Sequence, residues 1–127
     1  MKKLSILIVD DSSVMRKIVE RSLRLAGLEI ERVAEADNGA SALDQIGQGV
    51  PDMIFSDINM PTMDGLEFVR QLQNVESARG VPVVMITTEG SQSRVIEALS
   101  LGAQGYIRKP FTPEQVRDQV VPLLEGR

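Results

Sequence analysis

The sequence predicts an α/β domain in which a parallel five-stranded sheet is covered by helices on both faces. Short apolar runs alternate five times with segments that carry apolar residues at helical spacing. The first run, Ser5 to Val9, is continuously aliphatic, as in strands that are buried on both faces. Polar residues follow most runs directly. Because crossovers between parallel strands share one hand, all five strand ends are expected at one edge of the sheet.

The other four strands are shorter or weaker than the first. They are expected at Ile30 to Ala36, Pro51 to Ser56, Val81 to Ile86 and Gln104 to Arg108. In the second strand, Val33 is expected to face inward, and Glu31 and Glu35 outward.

Helical segments follow the strands, and most carry start or stop residues. The first helix begins after Ser12 or Ser13 and ends at Gly27. The second runs from Ala40 to Ile46 and the third from Leu66 to Gln73. The fourth ends at Gly102, and the last starts at Thr112-Pro113. Asp64 and Glu67 have the spacing of a capping box. The spacing of Thr112 and Gln115 is the same. Pro122 lacks an N–H and is expected to kink the last helix or end it early.

The apolar stripes of the helices predict which residues form the core. These are Val14, Ile18 and Leu25 with Met15, Val19 and Leu23 beside them in the first helix, Val95, Ile96, Ala98 and Leu99 in the fourth, and Val116, Val120, Leu123 and Leu124 in the last.

Composition restricts the possible functions. The 127 residues suit one domain, which we expect to span residues 1–127. The chain has no cysteine and no histidine, which excludes disulfides, thiolate metal sites, thiol catalysis and a phosphohistidine on this chain. A net charge of −4 without a basic run disfavours nucleic-acid binding. The apolar run after the basic start is too short for a signal peptide or a membrane span, so we expect a soluble cytoplasmic protein.

Asp57 is the centre of the predicted site. It ends the third apolar run and a turn follows at once, so its carboxylate is expected where α/β sheets bind ligands. On this segment alone, a loop-capping aspartate is an equal alternative. If strands one, three, four and five are neighbours, Asp10 and Asp11 join Asp57 in a cluster of three carboxylates. Thr87 and Lys109 end the two remaining strands and would face that cluster.

Three carboxylates together favour a bound cation, because like charges raise one another's pKa unless a cation lies among them. Oxygen ligands suit Mg²⁺ better than zinc. A metal ion, an ammonium and a hydroxyl around one aspartate suit a phosphoryl group, and an aspartate can accept it as an aspartyl phosphate. Asp10 and Asp11 could instead only cap the first helix, and Asp64 could be a cap and nothing more.

Four separated motifs resemble the response-regulator receiver family. They are Asp10-Asp11, Asp57-x-x-Met60-Pro61-x-x-Asp64-Gly65, Thr87, and Lys109-Pro110-Phe111, within a match from Leu4 to about Leu124. The chain is most similar to the single-domain chemotaxis-type members of that family. The resemblance implies a doubly wound, flavodoxin-like fold with strand order 2-1-3-4-5 and five helices, and a cis Lys109–Pro110 bond.

The resemblance also implies a phosphoacceptor and a metal site. Asp57 would accept a phosphoryl group from a phosphohistidine on a partner histidine kinase or phosphotransfer protein. Asp10 and Asp11 would hold Mg²⁺, together with the Asp57 carboxylate and the backbone carbonyl of Asn59. Lys109 would pair with a phosphoryl oxygen.

A switch is implied at the ends of strands four and five. Thr87 would donate its hydroxyl to the phosphoryl group, and Tyr106 would move into the space that Thr87 leaves. The changed face of the fourth helix, fifth strand and fifth helix would then bind a downstream protein target. Thr88 is the alternative hydroxyl, and Tyr106 could be an edge aromatic without a switching role. Asn59, Thr88 and Glu89 are candidates for tuning water access; Thr88 replaces the Ala or Gly usual in the family.

The leading interpretation is a monomeric two-component response regulator whose only catalysis is its own phosphorylation and dephosphorylation. A role in motility rests on analogy with the chemotaxis-type members. One alternative is the receiver domain of a longer regulator, for example a DNA-binding one. A second is a small Mg²⁺-dependent phosphatase that uses Asp57 as its nucleophile. Nucleotide or flavin binding is disfavoured, because Asp10-Asp11 stands where a glycine-rich phosphate loop would be needed.

Overall fold

Strands and helices alternate along the whole described chain, which comprises residues 3–88 and 92–125 of the computed structural model. The strands are β1 (Leu4–Val9), β2 (Ile30–Ala36), β3 (Met53–Asp57), β4 (Val83–Thr87) and β5 (Gly105–Arg108). The helices are α1 (Ser13–Leu25), α2 (Gly39–Gln48), α3 (Gly65–Leu72), α4 (Gln92–Leu101) and α5 (Pro113–Glu125), with a 3₁₀ turn at Glu76–Ala78. All strand pairs are parallel, in the order β2-β1-β3-β4-β5. The predicted fold class and strand order are confirmed.

Two apolar cores lie on the two faces of the sheet, because neighbouring residues of a strand point to opposite sides. One core joins alternate strand residues to α2, α3 and α4, and includes Leu7, Val9, Ile54, Met85, Ile46, Phe68 and Val95. The other joins the remaining strand residues to α1 and α5, and includes Ile6, Ile8, Phe55, Val84, Val19, Leu23 and Val116. Each fully buried large side chain contributes about 1.5–3 kcal/mol of hydrophobic stabilisation.

The predicted N-terminal caps of α1, α3 and α5 are present, and the hydrogen bonds form both halves of a capping box at α5 and one half at α3. The side chain of Ser12 accepts a hydrogen bond from the Met15 amide at the start of α1. Asp64 accepts one from the Glu67 amide, 2.9 Å away, at the start of α3. At the start of α5, the Thr112 hydroxyl and the Gln115 side chain each accept a hydrogen bond from the other residue's amide, a capping box. Among the described helices, none has the length and apolar content that a membrane span requires.

The predicted inward stripe of α1 is wrong. Val14 is 68% exposed, and Ile18 and Leu25 are exposed as well. Val19 and Leu23, expected beside that stripe, are the buried residues of this helix. Because α1 has apolar residues on two adjacent faces, its periodicity alone could not select the face that packs on the sheet and α5.

The prediction for α4 was half right. Val95 and Ala98 are buried, but Ile96 and Leu99 lie on the exposed side of this helix. Val95 and Ala98 are three residues apart and share one face, which is the face that packs on the sheet.

Pro122 does not end the last helix early. The helix α5 continues to Glu125 with Pro122 inside it. The missing N–H removes only the bond to the carbonyl of Asp118, one turn earlier. Asp118 is exposed, so water can satisfy that carbonyl and the helix persists. Beyond the proline, Leu123 and Leu124 are only partly buried, whereas Val116 and Val120 are buried as expected.

Gly65 fixes the approach of α3 to the end of β3. Its amide donates a 2.8 Å hydrogen bond to the carbonyl of Ile58. A Cβ at this position would lie 2.1 Å from the carbonyl oxygen of Asp57, which is far inside van der Waals contact. The helix can therefore begin here only with a residue that has no side chain.

We expect Gly65→Ala to destabilise the protein by about 3 kcal/mol, because the methyl group must displace the backbone around Asp57. Urea denaturation monitored by circular dichroism measures this change. Gly47→Ala is the matched control: Gly47 lies within α2 with open space around it, so alanine should stabilise by about 0.5–1 kcal/mol. Equal effects of the two substitutions would contradict the close approach at Gly65.

Candidate functional site

Three carboxylates converge at the carboxyl edge of the sheet. Asp57 is the last residue of β3, and Asp10 and Asp11 follow β1, which pairs with β3 in register up to Val9 and Ser56. One oxygen from each carboxylate lies within 4.8 Å of the other two. The structure thus brings together the three acidic residues that the sequence placed at strand ends.

The backbone fixes the orientation of two of these carboxylates. Asp10 is buried, and its Oδ1 accepts a 2.9 Å hydrogen bond from the amide of Ser12. Asp57 has a side chain that is only 12% exposed, and its Oδ1 accepts a 2.7 Å bond from the amide of Ile58. Asp11 is exposed. Asp10 thus stabilises the turn before α1, and its second oxygen still faces the cluster.

Lys109 supplies the positive charge at this edge. Its Nζ lies 3.5 Å from Oδ2 of Asp10 and 3.8 Å from Oδ2 of Asp57. Its amide donates a 2.6 Å hydrogen bond to the carbonyl of Thr87, which fixes the end of β5 beside the end of β4. The Lys109–Pro110 peptide bond is cis, as expected.

The pKa of Asp57 is raised above its ordinary value of 3.8. Burial is the largest cause, because it removes water from the charged form, and the neighbouring charge of Asp10 raises the pKa further. Lys109 and the amides of Ile58 and Asn59 act in the opposite direction but do not outweigh burial. The charged form of Asp57 is therefore costly in this site, and one ammonium does not offset the cost of its burial.

The donor set fits a divalent oxygen-preferring cation. The cluster offers carboxylate oxygens within a few ångströms of one another, without any nitrogen or sulfur ligand. Mg²⁺ takes such ligands, usually one or two carboxylates with water completing the shell. A cation there would also relieve the repulsion that raises the pKa of Asp57.

Thr87 and Tyr106 lie on the β4 and β5 side of the site. Thr87 is 2% exposed, and its hydroxyl lies 3.3 Å from the carbonyl oxygen of Thr88. Tyr106 is 44% exposed. Both residues line a cavity of about 790 Å³ that extends between α4, β5 and α5, and Lys109 lines the same cavity. The two predicted switch residues thus border one space, with the tyrosine facing solvent.

Two of the three candidate tuning residues lie in the described part of the chain, both on its surface. Asn59 is exposed in the loop after β3, and its backbone amide is one of the groups that lower the pKa of Asp57. Thr88 is exposed directly after β4 and lines the same cavity as Thr87. Glu89 lies outside the described residues.

Two arginines contact the site that the sequence analysis did not assign to it. Arg16 donates from Nη1 to the backbone carbonyl of Asp10, 2.6 Å away, and from Nε to Glu35, 2.8 Å away. The pKa of Glu35 is lowered, first by that hydrogen bond and also by the charge of Lys17. Glu35 is thus paired across the edge of the sheet and is only half-exposed.

Arg94 is the second arginine that contacts the site. It hydrogen-bonds the side chains of Asn59 and Asp64 from the first turn of α4. Nothing in the sequence indicates these contacts, because the partners of Arg94 lie 30 and 35 residues away.

Comparison with known proteins gives one consistent family. A family profile described as the response regulator receiver domain matches residues 6–121. The chain is 39% identical over 124 residues to the chemotaxis protein CheY-3 of Vibrio cholerae, covering 98% of this chain and 94% of that one. It is 38% identical over 122 residues to the chemotaxis protein CheY of Pseudomonas aeruginosa, covering 96% and 97%.

Solved structures agree with the sequence comparisons. The chemotaxis response regulator CheY4 of Vibrio cholerae superposes with a TM-score of 0.80 at 35% identity. The match covers 96% of this chain and 99% of that chain.

We expect Asp57→Asn to stabilise the protein in the absence of metal and to raise its Tm by about 2–4 °C at pH 7. A raised pKa in the folded state means that Asp57 favours folding at low pH and opposes it as pH rises through that pKa. The advantage of Asp57→Asn should therefore grow as the pH rises above 3.8, the ordinary pKa of this carboxyl group.

Thermal unfolding with and without Mg²⁺ measures this effect. Asp44→Asn, on an exposed position of α2, is the control and should change Tm little at any pH. Mg²⁺ should raise the Tm of the native protein more than it raises the Tm of the Asp57→Asn variant. A lower Tm for Asp57→Asn at neutral pH would contradict the raised pKa assigned to Asp57.

Proposed function

The chain belongs to the response regulator receiver family, and we propose that Asp57 is its phosphoacceptor. The observation that carries this proposal is the position of the Asp57 carboxylate, mostly buried and held between the Lys109 ammonium and two further carboxylates. Asp10, Asp11, Asp57 and the backbone carbonyl of Asn59 are the proposed ligands of Mg²⁺.

In the proposed reaction, a carboxylate oxygen of Asp57 attacks the phosphorus of a phosphohistidine on a histidine kinase or phosphotransfer protein. The O–P bond forms, the N–P bond breaks, and the imidazole leaves and is protonated. Bound Mg²⁺ would neutralise the phosphoryl oxygens. Lys109 is already within 4 Å of both Asp57 and Asp10, so its ammonium can move to a phosphoryl oxygen without a large change in position.

Thr87 and Tyr106 form the proposed switch. The Thr87 hydroxyl would exchange its contact with the Thr88 carbonyl for a charge-assisted hydrogen bond to the phosphoryl group. The cavity beside it provides room for the Tyr106 ring to move inward. The phosphoryl charge would thus shift a two-state equilibrium of the face formed by α4, β5 and α5.

That face is the proposed binding site for a downstream protein. It exposes the apolar side chains of Ile96, Leu99 and Tyr106 beside the cavity, and a protein partner could cover them. The named relatives from Vibrio cholerae and Pseudomonas aeruginosa are chemotaxis proteins, and we propose a chemotaxis-type role for this chain as well. We further propose that residues 1–127 act as one receiver domain and as a monomer. Catalysis would be confined to phosphorylation and dephosphorylation of Asp57.

The two other interpretations are not favoured. Similarity to two chemotaxis proteins, 94% and 97% of whose length is covered, favours the chemotaxis-type role over a receiver domain of a DNA-binding regulator. A small-molecule phosphatase is disfavoured because the family is one of signalling regulators.

The decisive experiment is intact-mass measurement after incubation with Mg²⁺ and a small acyl phosphate. We expect one added phosphoryl group on the native chain and none on Asp57→Asn or without metal. If Asp57→Asn gains the same adduct, another residue is the acceptor and the proposal fails. If the native protein gains none, incubation with a phosphorylated histidine kinase shows whether only small donors are excluded.

We expect Thr88→Ala to accelerate phosphorylation by a small acyl phosphate several-fold. Thr88 is exposed directly after Thr87, whose strand pairs with the strand that ends at Asp57, and a smaller side chain there would leave more room for a donor to approach. Stopped-flow measurement of the phosphorylation rate at saturating Mg²⁺ tests this expectation. An unchanged rate would show that Thr88 does not limit access.

A further inference from the structure

Arg94 joins two loops that belong to different parts of the chain. It lies in the first turn of α4, directly after the segment that follows β4. One guanidinium nitrogen donates to the side-chain oxygen of Asn59, and another lies 3.0 Å from Oδ2 of Asp64. These two partners stand near the two ends of the loop between β3 and α3. The planar guanidinium can hold both at once, because its donors form a rigid fork.

Both partners of Arg94 are connected to the backbone around Asp57. The backbone amide of Asn59 helps to lower the pKa of the Asp57 carboxyl, while the Asn59 side chain accepts a hydrogen bond from Arg94. Asp64 uses Oδ1 to cap α3 and Oδ2 to pair with Arg94. The next residue, Gly65, is the one whose amide bonds the carbonyl of Ile58. Arg94 therefore holds the loop between β3 and α3 near both of its ends, next to the backbone that surrounds Asp57.

The exposure of this ion pair indicates what it can contribute. The side chains of Arg94 and Asp64 are 36% and 37% exposed, and ion pairs that are this exposed add little to stability. A large effect on unfolding is therefore not expected. An effect on the position of Asn59 is expected, because the Arg94 side chain on α4 links Asn59 to Asp64, which caps α3.

We propose that Arg94 is a positioning residue of the phosphoryl site. It holds the Asn59 side chain, so that the backbone of this residue keeps its place beside Asp57 and its carbonyl stays available to the metal. It also ties the loop after β3 to α4, so that the metal-bearing loop and the switch helix move together. The inference rests on the proposed function of Asp57, and it names a residue that acts through Asn59 and Asp64 without touching the reacting atoms.

The test uses Arg94→Met, which keeps the length of the side chain and removes its donors. Arg70→Met is the matched control, because Arg70 also pairs with a carboxylate, Glu67 on its own helix, 3.3 Å away. Arg94→Lys keeps the charge but cannot reproduce the fork. Amide NMR spectra of the metal-free proteins report the hydrogen bonds to Asp57 before any phosphoryl donor is added. A Mg²⁺ titration of the same samples then gives the dissociation constant.

We expect Arg94→Met to move the amide resonances of Ile58 and Asn59 and to weaken Mg²⁺ binding roughly 10-fold, with Tm nearly unchanged. Arg70→Met should leave both unchanged, and Arg94→Lys should recover neither fully. In an Asn59→Ala background, Arg94→Met should weaken Mg²⁺ binding much less than it does alone.

Three results would overturn the positioning role. The positioning role fails if Arg94→Met leaves the Asn59 resonances and the Mg²⁺ affinity unchanged. If the native chain is still phosphorylated normally, the proposed function of Asp57 stands. Full recovery by Arg94→Lys would show that charge alone matters. A native chain that accepts no phosphoryl group from acyl phosphate or from a phosphorylated kinase would overturn the proposed function, and the positioning role with it.

Discussion

The structure depends on the concentration of negative charge at one edge of a parallel sheet. Burial raises the pKa of Asp57, and the nearby Asp10 adds to this cost, while a single lysine offsets part of it. The surrounding backbone is arranged to hold this charge: amides of Ile58 and Ser12 donate to the two carboxylates. The same edge is thereby made receptive to a cation and to an anionic group bound through that cation.

Most of this edge could be predicted from the sequence, because the carboxyl ends of parallel strands all lie at the same edge of the sheet. Each strand end is marked by a change from apolar to polar residues, so Asp10, Asp57, Thr87 and Lys109 could be assigned to one edge before any contact was known. Caps were also predictable, since they depend on residues only three positions apart, as at Asp64 and Glu67. Local rules and strand polarity thus account for both the fold class and the composition of the site.

What could not be predicted depends on packing between distant segments. The inward face of α1 is chosen by the sheet and α5, and the apolar residues on two adjacent faces left that choice open. Arg16 and Arg94 could not be assigned to the site, because a long flexible side chain gives no sign of which distant group it will reach. Pro122 was judged by its missing N–H alone, and the exposure of Asp118 makes that loss tolerable.

Pro122 also affects how the last helix moves. One rung of the hydrogen-bond ladder is missing there, so the final turn of α5 costs less to open than the turns that precede it. Val116 and Val120 remain anchored in the core, while Leu123 and Leu124 beyond the proline are only partly buried. The end of this helix can therefore fray on a faster timescale than the body of the domain unfolds. A partner that contacts α5 would meet a well-anchored segment followed by a more mobile last turn. Its binding free energy would then include the entropic cost of ordering that turn.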